Sequence, residues 1–169
     1  MSRKASFPPV ASSATRVLVL GSLPGEASLA AGRYYAHPLN QFWRLIGGAI
    51  GRDIAALDYD ARLAALVTAG VGLWDTIGSA RRRGSLDGAI RDVEANPLAT
   101  LVAGLPNLRC VAFNGATAAR IGRRALVERD RVALVQLPSS SPAYCSITFA
   151  QKQAEWLKLR DFLAENPPG

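Results

Sequence analysis

Several features are scarce in this sequence, and each scarcity argues against a class of protein. No apolar run reaches the roughly 18–20 residues of a membrane-spanning helix, so we expect no membrane segment. Cys110 and Cys145 are too few for a disulfide framework or a four-ligand metal site, and they favour a reducing, cytoplasmic compartment. Because His37 is the single histidine, we predict no metal, and we expect no other cofactor.

Positive charge, in contrast, is plentiful. The chain has 169 residues, with 20 Lys and Arg against 13 Asp and Glu, which gives a formal net charge of +7. This excess favours a polyanionic partner such as nucleic acid, although charge alone leaves an ordinary basic protein equally open. The arginine run 81–83 is interpreted as solvent-exposed charge in preference to a phosphate contact.

The length of the chain suits one domain, which we place at residues 16–166. Residues 1–15 are rich in Ser, Ala and Pro and contain no hydrophobic stretch of the kind that secretory signals have. We therefore predict a flexible N-terminal lead-in over residues 1–15. A weak organelle address is a less favoured interpretation of the same segment.

Four short runs of apolar and β-branched residues have the length of buried strands: 16–20, 71–74, 109–113 and 132–137. Helical patterns occupy five other stretches: 40–50, 59–69, 97–104, 116–124 and 148–165. This alternation predicts an α/β fold, which we expect to be a three-layer α/β/α sandwich with a short, mainly parallel four-stranded central sheet. Ligands of such sheets bind beyond the carboxyl ends of the strands, so chemistry is expected where the four runs end. These ends are Leu20, Trp74, Phe113 and Leu137.

Unusual residues follow three of these ends. The first run leads into a tight turn whose backbone N–H groups can point at a ligand: Gly21, Ser22, Leu23, Pro24 and Gly25. The string 34–43 then brings together two tyrosines, the histidine, an asparagine, a phenylalanine and a tryptophan. The third run is followed by the amide of Asn114. The fourth is followed by a hydroxyl-rich loop stiffened by prolines: Pro138, Ser139, Ser140, Ser141 and Pro142.

Each of these features also has a purely structural interpretation. The glycine turn, the Asn-Gly pair at Asn114 and the serine loop can be ordinary turns. Asn40 can be the N-cap of the helix that follows it, and His37 can lock its own loop by a hydrogen bond. The functional interpretation is a pocket with an aromatic face for a planar ring, amides that read the ring's edge, and hydroxyls that hold phosphates.

Three strings resemble the two signature regions of the uracil-DNA glycosylase superfamily: 21–25, 34–43 and 137–142. The resemblance is strongest to the sixth family, the hypoxanthine-DNA glycosylases, with the mismatch-specific uracil glycosylases as cousins. Three shorter strings are similar to the same branch: 72–75, 84–87 and 113–115. The match spans residues 17–156, and its most specific part is the His-Pro-x-Asn-x-Phe-Trp string that begins at His37.

The resemblance implies a role for each matched residue. The backbone of the 21–25 turn and Tyr35 would form the pocket for a flipped base, with Tyr35 stacking on it and His37 beside it. Asn40 would be the catalytic residue, and Asn114 would read the base. The serine loop, residues 138–142, would grip the DNA strand and intrude where the base has left.

Two positions depart from the wider superfamily. Leu23 stands where the mismatch-specific cousins have a catalytic asparagine and other members an aspartate, so the usual route to activating water is absent. Tyr144 stands where the hypoxanthine branch usually has an asparagine. Its side chain could enter the vacated base stack, face the orphaned partner base, or simply pack against the protein.

An amide cannot take a proton near neutral pH, so Asn40 is no general base. It is expected to align a water molecule, either by accepting one of its hydrogens or by presenting a fixed dipole. This suffices when the glycosidic bond largely breaks before water attacks. The rate would then come mainly from donors that stabilise the departing base, namely the backbone of the 21–25 turn, Asn114 and His37.

These inferences predict a monofunctional DNA glycosylase that hydrolyses the N-glycosidic bond of a flipped deaminated base, hypoxanthine and/or uracil, with xanthine a further candidate. The partner would be DNA containing such a base, bound by a monomer associated with the nucleoid through DNA. A single catalytic function is expected because no lysine lies near the motifs in sequence; the lysines are Lys4, Lys152 and Lys158. Two alternatives stay open: a weak or inactive lesion-binding protein of the same fold, and a small α/β enzyme acting on free nucleosides.

Overall fold

The structure, a computed structural model, describes residues 2–127 and 132–164. Its strands are, in chain order, β1 (Arg3–Ala5), β2 (Val17–Gly21), β3 (Val71–Asp75), β4 (Ile77–Arg81), β5 (Arg91–Ala95), β6 (Cys110–Asn114) and β7 (Ala133–Leu137). Its α-helices are α1 (Glu26–Ala31), α2 (Phe42–Ile50), α3 (Tyr59–Ala69), α4 (Leu98–Ala103), α5 (Ala116–Ala125), α6 (Phe149–Trp156) and α7 (Arg160–Leu163).

The central sheet has four parallel strands in the order β3-β2-β6-β7. Strand β2 sends Val17 and Val19 into a core shared with α2, α3 and α6. It sends Leu18 and Leu20 into a second core on the opposite face, shared with α4 and α5. Because both faces are covered, the strands read as continuous apolar runs. The predicted α/β/α sandwich with a four-stranded parallel sheet is confirmed.

The helices predicted over 40–50, 59–69, 97–104 and 116–124 are present with small shifts of their ends. The helix predicted over 148–165 is interrupted, since a 3₁₀ turn at Leu157–Leu159 separates α6 from α7. Thr148 begins α6 with a reciprocal cap, in which its side chain accepts from the backbone of Gln151. Residue 165 and the domain end expected at 166 lie outside the described residues.

A second, smaller sheet was not predicted from the sequence. Its strands are antiparallel in the order β1-β4-β5. Strand β5 is exposed along its whole length and β4 is only partly buried, so neither shows the apolar pattern by which the central strands were recognised. Only Thr76 separates β3 from β4, which places this sheet next to the carboxyl end of the central one.

The N-terminal segment, for which a flexible lead-in over residues 1–15 was predicted, contacts the domain in its described part. Among its described residues, β1 pairs with β4, and Val10 forms an isolated bridge with Leu73. The carbonyl oxygen of Phe7 accepts from the indole of Trp74 at 2.9 Å, and that of Pro8 accepts from the hydroxyl of Tyr34 at 2.8 Å. The segment is attached by backbone pairing and by hydrogen bonds from two aromatic side chains. Contacts of these two kinds leave no apolar run in the sequence, so the sequence pattern does not reveal them. Its flexibility in solution stays a prediction.

Within the described residues, no helix has the length and apolarity to cross a bilayer. Cys110 is fully buried on the central sheet, as expected of a small apolar side chain. Trp74 and Trp156 are also buried.

Candidate active site

A cavity of about 490 Å³ opens at the carboxyl edge of the central sheet, within the usual size range of small-molecule sites. It brings together the ends of β3 and β6, the segments that follow β2, β4 and β7, and the loop before α2. The residues predicted for the site that line it are Gly21, Ser22, Leu23, Pro24, Gly25, Tyr35, His37, Asn40, Asn114, Ser139, Ser140, Ser141, Pro142 and Tyr144. Pro138 is the one predicted residue outside the lining; its carbonyl oxygen accepts from the Trp156 indole at 3.0 Å.

The glycine turn begins where β2 meets the end of β3. A side chain at Gly21 would meet Asp75 Oδ1 at 2.6 Å and the Tyr35 hydroxyl at 3.1 Å, so only glycine fits there. The backbone N–H groups of Ser22 and Leu23 form no hydrogen bond within the described part of the chain. Both residues line the cavity, so these donors are available to a ligand.

Arg82 holds the far side of this turn. Its guanidinium donates to the carbonyl oxygens of Leu23 at 3.5 Å, of Gly84 at 2.9 Å and of Pro24. The side chain is 1% exposed, so the interpretation of the whole run 81–83 as solvent-exposed is wrong for Arg82, although Arg81 is exposed. A planar guanidinium can satisfy several carbonyls at once, which suits it to this buried position.

Leu23 packs its side chain into a small apolar cluster with Ile77 and Ala80. It is 7% exposed. The position that would carry an asparagine or aspartate in the cousins is therefore occupied here by a packed hydrocarbon side chain.

Tyr35 adopts the left-handed conformation, with φ 51°, which is uncommon for a residue other than glycine. Its ring stacks on Phe42 with centroids 3.9 Å apart and planes 19° apart. Its carbonyl oxygen accepts from the Trp43 indole at 3.0 Å. Burial raises the pKa of the Tyr35 hydroxyl, so this group is neutral. One face of the ring is occupied by Phe42, and any stacking on a ligand must use the other.

His37 is exposed, and its Nδ1 accepts from the backbone N–H of Leu39 at 3.1 Å. This bond supports the interpretation that His37 locks its own loop. It also assigns the proton of the neutral ring to Nε2, which is then a donor available to a ligand.

Asn40 has its orientation fixed by two donors. Its Oδ1 accepts from the backbone N–H of Phe42 at 3.0 Å and from the Ser140 hydroxyl at 2.8 Å. Because a backbone N–H can only donate, the oxygen must face Phe42 and the amide cannot be flipped. Its Nδ2 forms no hydrogen bond within residues 2–127 and 132–164. The helix α2 begins two residues later, so Asn40 stabilises its entry without being the N-cap, which is Gln41.

Asn114 holds the serine loop against the sheet. Its Nδ2 donates to the Ser140 hydroxyl at 2.9 Å, and its Oδ1 accepts from the Ser140 backbone N–H at 2.9 Å. A longer contact of 3.4 Å runs from Nδ2 to the Tyr35 hydroxyl. The side chain is thus engaged on both polar atoms, and one Oδ1 lone pair is left for a ligand. Gly115, with φ 99°, turns the chain directly after it.

The rest of the serine loop is held by local bonds and by one lysine. The Ser139 hydroxyl accepts from the Ser141 backbone at 3.1 Å. Lys152 Nζ donates to Gln41 Oε1 at 2.9 Å and to the Ser141 carbonyl at 3.3 Å, and it lies 5.3 Å from the Tyr144 ring centroid. The expectation that no lysine lies near the motifs is therefore wrong in space, because α6 carries Lys152 back to them.

Sequence reasoning missed three carboxyl groups of the cavity, those of Glu26, Asp75 and Asp87. Asp75 ends β3 and Asp87 lies in a 3₁₀ turn at Asp87–Ala89; both line the cavity. The Ser22 hydroxyl donates to Asp87 Oδ1 at 2.6 Å. A signal for Asp75 existed, since it directly follows a predicted strand end, Trp74, where chemistry was expected. Within the described residues, no cluster of His, Cys, Asp and Glu could hold a metal ion.

Comparisons with known proteins agree with this geometry. The family model of the uracil DNA glycosylase superfamily matches residues 8–163. The chain belongs to this superfamily. A hypoxanthine DNA glycosylase of Methanosarcina barkeri is 45% identical over 113 residues, which cover 67% of this chain and 72% of that one.

Two further relatives in the superfamily come from Methanosarcina acetivorans. A hypoxanthine DNA glycosylase of that organism is 37% identical over 153 residues, covering 90% of this chain and 95% of that one. A solution NMR structure of a protein described provisionally as a uracil DNA glycosylase superimposes with a TM-score of 0.83 at 35% identity. The superposition covers 96% of this chain and 99% of that one. The fold is therefore that of the uracil DNA glycosylases.

Proposed function

We propose that this protein is a DNA glycosylase that hydrolyses the N-glycosidic bond of a flipped deaminated base, hypoxanthine and/or uracil, and leaves an abasic site. The observation that carries the proposal is the cavity in which the glycine turn, Tyr35, Asn40 and the serine loop meet, in a chain of this superfamily. The names of the two curated relatives support hypoxanthine as a substrate.

Binding would begin with phosphates. The net charge of +7 favours a polyanion, and the association should weaken as salt rises. Turning a nucleotide out of the duplex costs a few kcal/mol, least for a damaged or mismatched base. The serine loop and Tyr144 lie at one side of the cavity, where they can hold the strand beside the extruded nucleotide.

The catalytic part of the proposal rests on Asn40. Both lone pairs of its Oδ1 are used, by Phe42 and by Ser140, so a water molecule would meet it in one of two ways. Water can replace the Ser140 hydroxyl, or it can be held by the Nδ2 group that faces no partner in the described chain. In both cases Asn40 positions water by a fixed dipole and takes no proton, which suits a mechanism in which the sugar becomes oxocarbenium-like first.

The leaving base would be stabilised by donors that line the cavity. The backbone N–H groups of Ser22 and Leu23 and the Nε2–H of His37 are the candidates. Donors placed where negative charge develops contribute roughly 3 kcal/mol each in other enzymes.

A single catalytic activity is also proposed. Strand cleavage would require an amine that attacks the sugar. Lys152 contacts Ser141, but its ammonium is buried between Gln41 and that loop and does not line the cavity. Lys4 is paired with Glu26. We therefore expect an abasic product with an intact strand.

The test uses oligonucleotides with one inosine or one deoxyuridine, single-stranded and in duplex, incubated with the full chain. We expect strand breaks only after alkali, and no adduct trapped by borohydride. Asn40→Ala should lose excision while it still shifts an inosine duplex in a binding assay. Asn107→Ala is the matched control, because Asn107 is exposed and, among the described residues, its side chain bonds only Ser13.

Each other outcome has a defined meaning. No abasic product from any oligonucleotide refutes the glycosylase proposal. Binding of lesions by wild type without release favours a lesion-binding protein, an alternative that packed Leu23 and the engaged Oδ1 of Asn40 keep open. Preference for free inosine over inosine in DNA favours a nucleoside hydrolase.

A further inference from the structure

One carboxyl group of the cavity stands apart from its other polar side chains. Asp75 ends β3, lines the cavity and is only 4% exposed. Its Oδ2 is buried and has no hydrogen-bond partner in the described part of the chain. Its Oδ1 lies against Gly21, beside the Tyr35 hydroxyl. This position of the carboxyl lowers the stability of the fold, because a buried acceptor without a hydrogen-bond partner is destabilising.

Three neighbouring polar side chains of the lining already have hydrogen-bond partners. Asn40 is held by Phe42 and Ser140, and Asn114 is held by Ser140 on both of its polar atoms. Asp87 accepts from Ser22. Asp75 is therefore the acidic side chain of the lining that is buried and uncommitted among the described residues.

The surroundings of the Asp75 carboxyl favour its protonated form. Burial is the main cause, and the charge of Asp87 adds to it, while Arg82 opposes both; together they raise the pKa of Asp75 from its ordinary 3.8 to about 7. Tyr34 and Tyr35 face it with hydroxyls whose pKa is raised by burial, so they stay neutral.

Besides Asp87 and the tyrosines, two titratable groups line the same cavity, Glu26 and His37. Glu26 is paired with Lys4, and the Nδ1 of His37 accepts from its own loop. Neither contacts the Asp75 carboxyl, which leaves Asp87 and Arg82 as the charged groups that act on it.

We propose that Asp75 is a catalytic residue of the reaction proposed above, donating its proton to a ring nitrogen of the leaving purine. The inference rests on the proposed function, because it concerns the same cavity and the same bond. It assigns to the buried, uncommitted carboxyl a task that neither asparagine can perform, since an amide has no proton to give near neutral pH.

The step balances as follows. The bond between C1′ and N9 breaks, and its electron pair goes to the purine ring. The Asp75 O–H bond breaks at the same time, and the proton moves to N7 or N3 of that ring. Water aligned by Asn40 then attacks C1′ and loses a proton to solvent, and the Asp75 carboxylate recovers a proton from solvent when the base leaves. The net reaction consumes one water.

The step also determines specificity. A purine presents basic ring nitrogens, N7 and N3, away from the glycosidic bond. Uracil presents only carbonyl oxygens and an N–H group, which are poor acceptors of a proton. Asp75 should therefore accelerate the excision of hypoxanthine much more than that of uracil.

Asp75→Asn tests the proposal because the amide keeps the shape and can still donate a hydrogen bond, but it cannot transfer a proton. Under single turnover, we expect hypoxanthine excision to fall about 100-fold or more and uracil excision to fall far less. In wild type, the hypoxanthine rate should fall tenfold per pH unit above about pH 7, because ionised Asp75 is inactive, and in Asp75→Asn it should not depend on pH there.

The matched control is Asp53→Asn, an exposed aspartate in the loop after α2, which should leave both rates and the pH profile unchanged. Circular dichroism should show both variants folded. Oligonucleotides with 7-deaza- or 3-deaza-deoxyinosine identify the nitrogen: the analogue that lacks the proton acceptor should be cut slowly by wild type, with no further loss in Asp75→Asn.

The outcomes separate this inference from the proposed function. If wild type forms no abasic sites, the proposed function itself fails. If wild type cuts hypoxanthine and Asp75→Asn does so at the same rate, Asp75 only shapes the cavity and the inference is overturned. Equal losses on hypoxanthine and uracil, or full wild-type rates on both deaza analogues, overturn it as well.

Discussion

The hydroxyl of Ser140 donates to Asn40 Oδ1 at 2.8 Å, although the two residues are 100 positions apart in the chain. The same hydroxyl accepts from Asn114 Nδ2 at 2.9 Å, and the Ser140 carbonyl accepts from the Gln41 backbone at 3.0 Å. This serine of the segment after β7 thus links the end of β6 to the segment that precedes α2. The orientation of the proposed catalytic amide depends on this link.

Ser140→Ala should reduce excision by about 10- to 100-fold, because Asn40 loses one of the two donors that fix it and a small misplacement is costly. It should also lower the free energy of unfolding by about 1–3 kcal/mol, since Asn114 Nδ2 is left buried without its hydroxyl acceptor. Single-turnover kinetics and urea denaturation measure the two effects.

Ser139→Ala is the matched control for this variant. Among the described residues, the Ser139 hydroxyl bonds only the backbone of Ser141 in the same loop. Ser139→Ala should therefore lose little stability, and less excision than Ser140→Ala. Equal losses in the two variants would show that the loop as a whole matters and that the link to Asn40 does not.

The sequence predicted the central sheet and most of the cavity because both leave a local mark. Fully buried strands such as β2 are continuous apolar runs, and the strand-end rule then located the glycine turn, Asn114 and the serine loop. The link from Ser140 to Asn40 leaves no such mark. It depends on how three loops meet in space, which no periodicity encodes.

The residues that the sequence analysis missed are charged residues that are buried in the structure. Arg82 lies in a basic run but is buried, since the carbonyls of the glycine turn satisfy its guanidinium. Asp75 looks like a polar residue ending a strand, and only the structure shows that its side chain is buried against the glycine turn. The second sheet was missed because its strands, such as β5, are short and exposed.

Leu23→Asn should not restore the water-activating residue of the cousins. Leu23 is packed with Ile77 and Ala80, so an amide there would be buried in an apolar cluster without partners. We expect a loss of about 1–3 kcal/mol in unfolding free energy and no gain in uracil excision. Leu23→Met, which preserves the volume, should be nearly neutral for both. A stable variant with faster uracil excision would contradict this account of the turn.

Asp75→Asn should change stability in a way that depends on pH. A pKa raised from 3.8 to about 7 means that folded Asp75 holds its proton more tightly than the unfolded chain does. The stability that protonated Asp75 contributes is fully present below the unfolded pKa of 3.8, and it is lost as pH rises through the folded pKa of about 7. The asparagine variant has no such loss, so its melting temperature relative to wild type should rise between about pH 4 and pH 7 and then level off.

Each kcal/mol of unfolding free energy should appear as a shift of about 2–4 °C in melting temperature for a chain of this size. Asp53→Asn, at an exposed position, is the control for the removal of a negative charge. A difference in melting temperature that stays constant from acid to neutral pH would show that Asp75 ionises normally. The raised pKa would then be refuted, while the burial of Asp75 in the cavity would be unaffected.

Tyr144→Ala tests whether the exposed ring at the cavity mouth acts on DNA. Tyr144 lines the cavity yet is 39% exposed, and the ammonium of Lys152 lies 5.3 Å from its ring centroid. If the ring fills the vacated base stack, its loss should slow excision from duplex DNA by about 5- to 100-fold, because base–aromatic stacking is worth about 1–3 kcal/mol. Excision from single strands, which have no stack to open, should change little.

Tyr144→Phe keeps the ring and should behave like wild type on both substrates. Equal losses on single strands and duplexes would instead assign Tyr144 to the cavity wall, where it packs against the extruded nucleotide.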